Sequence, residues 1–83
     1  MDSPNNNILN LYEAKVKRMN DATLWQECVI HLKVLSNGEL TKSHRYRAEI
    51  LFTEAASRSS MSQTKEDFLA ALSVLKFIQG KEA

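Results

Sequence analysis

Apolar residues recur along this chain at helical spacing in four separate stretches. Ile8, Leu9, Leu11, Tyr12, Val16 and Met19 form one stripe and predict a helix over about 8–19. Trp25, Cys28, Val29, Leu32 and Leu35 share a face at i, i+3, i+4, i+7 spacing and predict a second over 22–35. His44, Ala48, Leu51, Phe52 and Ala55, with Leu40 at the start, predict a third over 41–58. Phe68, Ala71, Leu72, Leu75 and Ile78 predict a fourth over 65–79.

Polar residues between the stripes act as helix signals. Asn20-Asp21-Ala22-Thr23 breaks the first pair, with either Asp21 or a Thr23/Gln26 capping box opening the second helix. Ser36-Asn37-Gly38 ends that helix, because Asn and Gly take the left-handed conformation at low cost. Ser57 to Ser62 reads as a solvated connector, and Thr64 with Asp67 marks the next helix start. Gly80 is expected to close the last helix, residues 1–7 to form a flexible arm and 81–83 a tail. The fold class is therefore all-α, with short connectors that favour antiparallel neighbours.

The 83 residues allow one domain, 8–80, and the 43% apolar share suits a packed one. Net charge is +1, less lopsided than the usual DNA binder. Apolar runs such as Ile50-Leu51-Phe52 fall far short of the roughly 18 residues of a membrane span, so no membrane partner is expected. The polar start Met1-Asp2-Ser3-Pro4 resembles no targeting segment. A single cysteine suits a reducing compartment, so an intracellular site, cytoplasmic or nuclear, is expected.

Helices two and four share a pattern. Trp25-x-x-Cys28-x-x-x-Leu32-x-x-Leu35 aligns with Phe68-x-x-Ala71-x-x-x-Leu75-x-x-Ile78. Ala14 and Ala55 supply a small residue upstream of each. Repetition of this kind stacks one helical hairpin on the next; chance similarity between two amphipathic helices is the other reading. The pattern resembles a tetratricopeptide-type repeat, in which an aromatic, a small and a large residue open the second helix. The first-helix Trp and Leu-Gly signature and the closing proline are missing. More narrowly, Leu35 to Leu40 leading into Arg45-Tyr46 and the Ala55/Phe68 hairpin is similar to the N-terminal repeats of tetratricopeptide subunits of the anaphase-promoting complex. That resemblance implies a scaffold role in a ubiquitin-ligase assembly, with self-association. A closed four-helix bundle is the alternative architecture.

Chemistry has little to stand on. No Gly-rich phosphate loop, nucleophile elbow or Glu-x-x-His pair occurs. Cys28 and His31 lie one turn apart, but a structural zinc site needs four ligands and the only other histidine is His44. No catalytic residue, metal or cofactor is assigned, and the chain is read as a non-enzyme. The expected site is a groove on the first helices of two hairpins, lined by Leu11, Lys15, Arg18, Arg45, Glu49 and Phe52. It would receive a partner helix or acidic segment. Two hairpins leave apolar ends, so a homo-oligomer, a larger assembly or one end of a longer protein is expected. The alternative is a small phage- or plasmid-type regulator. It would contact an anion or nucleic acid through Lys42, Arg45 and Arg47 at the start of helix three.

Overall fold

The structure is a computed structural model that describes residues 4–82, with the side chains of 11–78. Four α-helices follow one another: α1 Pro4–Arg18, α2 Asp21–Ser36, α3 Lys42–Ser57 and α4 Lys65–Glu82. A 3-10 segment, Ser59–Thr64, joins α3 to α4. No strand occurs among the described residues, so the protein is all-α. None of the described helices is long and apolar enough to cross a membrane.

The helix ends differ from expectation in instructive ways. α1 begins at Pro4, so the expected arm over 1–7 is helical from that residue; proline's fixed φ suits a first helical position. Residues 1–3 lie outside the described range. α2 is capped by Asn20, whose side chain accepts from the Thr23 backbone N–H at 2.8 Å. Asn20 is the residue with extended backbone, so it takes the role assigned to Asp21 or Thr23. At the far end Gly38 sits at φ 72°; Gly38 N–H donates to Leu35 and Glu39 N–H to Val34, a Schellman arrangement. Thr41 caps α3 by accepting from the His44 N–H at 3.2 Å. α4 continues through Gly80 to Glu82, because an isolated glycine costs a helix only about 1 kcal/mol and Lys81 and Glu82 both suit a helix.

α3 is the central element. It packs against α4 most extensively, then α2, then α1. Among the described residues α1 and α2 make no extended close approach, and α1 is held by α3 instead of by its neighbour in sequence. Ala55 and Ala71 are buried, as small residues in the second hairpin should be. Ala14, expected to do the same in the first hairpin, is exposed.

Val16, Leu24, Cys28, Ala48, Leu51, Phe52, Ala55, Met61, Phe68, Ala71 and Leu75 form one core. Phe52 stacks on Phe68 with ring centroids 5.7 Å apart, and Trp25 meets Phe68 edge-on at 5.9 Å. The buried face of α2 is Leu24, Cys28 and His31, rotated from the expected Trp25 stripe; Trp25 is 43% exposed. The 57–64 connector is not a plain solvated link. Its Met61 is buried against the core, and the Thr64 hydroxyl donates back to the Met61 carbonyl.

Three helix ends meet at Arg58. Its guanidinium donates to Glu54 and Asp21, both at 2.9 Å, and to the carbonyls of Val16 and Lys17, both at 3.3 Å. Those carbonyls belong to the last turn of α1, where helical partners run out. One side chain therefore caps α1, holds the first residue of α2 and is anchored on α3.

Candidate functional site

A groove runs between α1 and α3, and its walls are not the residues expected from the sequence. Its volume is about 370 Å³, and its lining includes Val16, Ile50, Glu13, Lys17, Glu49 and Glu54. Only Glu49 of the six expected residues is there. Helical geometry explains the difference: Val16 faces inward, which turns Leu11, Lys15 and Arg18 to the opposite side of α1. Leu11 is 72% exposed, and Phe52 is fully buried on Phe68. Arg45 is buried and engaged within the fold. The groove is also acidic instead of basic. Lys17 is paired with Glu13 at 3.3 Å and Glu54 with Arg58, and Glu49 adds a third carboxylate. An acidic partner segment would be repelled there.

The basic start of α3 is dispersed by the fold. Lys42 is exposed, but Arg45 turns inward, and the Arg47 guanidinium lies 5.7 Å from the centroid of the Tyr12 ring. The three cations expected to meet an anion together do not share one open surface. Tyr12 is half-buried, and burial, with the nearby Glu27 carboxylate, raises its phenol above the ordinary range.

Cys28 is fully buried and its thiol donates to the Leu51 carbonyl at 3.7 Å. Burial pushes its pKa up to about 12, with Glu27 adding to the effect, so the thiolate needed of a nucleophile or ligand is suppressed. His31 Nδ1 donates to the Glu27 carbonyl at 2.8 Å, and its ring meets His44 edge-on at 6.0 Å. Among the described residues no group of three or more His, Cys, Asp or Glu is placed to hold a metal.

The surface that stands out is on α4. Between Phe68 and Ile78 the only polar residues are Ser73 and Lys76. Phe68, Ala71 and Leu75 face the core. Leu69, Val74 and Phe77 remain 40%, 46% and 63% exposed, with Ala70 and Ser73 exposed between them. A surface helix ordinarily keeps charge on its outer side; one that is apolar nearly all round belongs in an interior or an interface. Sequence reading missed this face because it sought the inward stripe and stopped there. The signal was present in the uninterrupted run Phe68-Leu69-Ala70-Ala71-Leu72.

The fold and this surface define a small all-α domain with an outward apolar helix face. No family model, curated protein or solved structure matches the chain.

Proposed function

We propose that this protein is a non-enzymatic interaction module that docks a protein partner on the outward face of α4. The observation that carries the reading is the exposure of Leu69, Val74 and Phe77 in the middle of α4, where Ser73 and Lys76 are the only polar residues between Phe68 and Ile78. Exposed apolar patches are kept small on monomers, because leaving such surface in water forgoes about 25 cal/mol per Å². The partner surface that fits is an uncharged helix face. An acidic segment, also expected from the sequence, loses its support with the inward turn of Arg45 and the acidic α1/α3 groove. A scaffold role of the tetratricopeptide kind, with an intracellular site, remains in keeping with a docking function.

Site-specific photocrosslinking tests the reading. A photoreactive side chain at Val74 should give a protein adduct in the cells that make this chain, and one at the exposed Gln26 on α2 should not. No adduct from position 74, or equal adducts from both, would contradict it.

A further inference from the structure

We infer that the α1/α3 groove docks a basic helix of a partner protein, one that lays a Lys or Arg side chain along the groove with its charge at Glu49. The inference stands apart from the α4 face and neither needs it nor replaces it. Three observations name the occupant.

The first is an unmatched charge. The groove is lined by three carboxylates, Glu13, Glu49 and Glu54, and one cation, Lys17. Lys17 is taken up by Glu13 at 3.3 Å, and Glu54 by Arg58 at 2.9 Å. Glu49 has no ion-pair partner among the described residues. It is exposed at the edge of the groove, where a cation can reach it without being stripped of water.

The second is the apolar strip beneath that edge. Val16 closes the groove from below, and the half-buried Ile50 forms its wall one residue on from Glu49. A Lys or Arg side chain suits both parts at once, because its methylene stem covers apolar surface while its head stays at the polar edge. A wholly apolar side chain would leave Glu49 unmatched, and an acidic one would be repelled by it.

The third is shape. The lining runs along α3 from Glu49 to Ser57, about 12 Å or two helical turns. Glu13, Val16 and Lys17 of α1 form the opposite wall. The space is therefore a trough between two packed helices, into which the ridge of a third helix fits. A helix lying there offers successive side chains at i, i+4 and i+7, and pairing with Glu49 selects the register and the sign of the partner.

Titration of the full chain with a helical peptide of alanine, leucine and lysine, followed by amide NMR, tests this. The shifts should gather at Glu13, Glu49, Ile50 and Thr53, and should be absent with the same peptide carrying glutamate for lysine. The dissociation constant should rise about tenfold in Glu49→Lys and by less in Glu49→Gln. Glu39→Lys, the same change of charge in the turn before α3, should leave it unchanged. Glu49 and Glu39 are both exposed, so these variants keep the core, which circular dichroism checks. Equal weakening by Glu49→Lys and Glu39→Lys reduces the binding to net charge and overturns the inference, as do shifts centred outside the groove or no binding of the lysine peptide. Spermidine giving the same shifts at equal concentration would make the occupant a free amine, and groove shifts on dilution of the chain alone would make it a second copy. Either result also overturns the inference, and none of these outcomes touches the α4 reading.

Discussion

Arg58 donates to the Asp21 carboxylate at 2.9 Å across 37 positions of sequence. The pair fastens the start of α2 to the end of α3, and the same guanidinium reaches the last carbonyls of α1. The Arg58 side chain is only 15% exposed, so these bonds are less screened than those of an ordinary surface pair. Arg58→Ala should destabilise the fold by about 1–2 kcal/mol. Arg58→Lys should recover little, because an ammonium lacks the planar fork that serves several acceptors at once. Urea midpoints of the three proteins check this; Arg58→Ala matching wild type would remove the clasp from the account.

The same pair sets a pH dependence. A hydrogen bond from Ser60, then one from Arg58, holds the Asp21 carboxyl below its ordinary range. A carboxylate with a folded pKa below its unfolded one stabilises the fold above the ordinary value. That stabilisation fades as pH falls through the folded pKa, so the loss lies below about pH 4. Urea midpoints followed from about pH 5 to about pH 2 should fall more steeply in wild type than in Asp21→Asn. Parallel curves would count against this role for Asp21.

Gly38 offers a test of backbone strain alone. Its φ is 72°, and a Cβ built there would meet nothing within 4 Å. Gly38→Ala should therefore cost about 1 kcal/mol through conformation with no clash. Gly38→Asn should cost less, since Asn tolerates the left-handed region. Thermal or urea unfolding measures both, and equal stability of all three proteins would mean the turn relaxes.

Cys28 should be inert while the chain is folded. With its thiol buried and its pKa pushed up to about 12, alkylation near neutral pH requires opening of the core. The labelling rate should rise in urea in step with the unfolded fraction. Rapid labelling without denaturant would show that α2 and α3 separate easily around it.

Much of the architecture was legible from periodicity. The four helices, the inward faces of α3 and α4, and the Phe68-x-x-Ala71-x-x-x-Leu75 contact followed from spacing alone. The rotation of α2 did not. Leu24 and Trp25 are adjacent and both apolar, so spacing could not choose which faces inward; packing on α3 chose Leu24. The expected groove failed for a related reason. It took α1 and α2 as a close hairpin, whereas α1 leans on α3 through Val16, and Leu11, Lys15 and Arg18 turn away. The Arg58 clasp lay beyond any local pattern, because its partners Val16 and Asp21 are brought to it only by the tertiary fold.

Site-specific photocrosslinking in the cells that make this chain tests the central claim, that the outward face of α4 is the docking surface, most directly. The account predicts protein adducts from photoreactive side chains at Leu69 and Val74 and none from Gln26 on α2. Adducts from Ile50 in the α1/α3 groove with none from Leu69 or Val74 would contradict it.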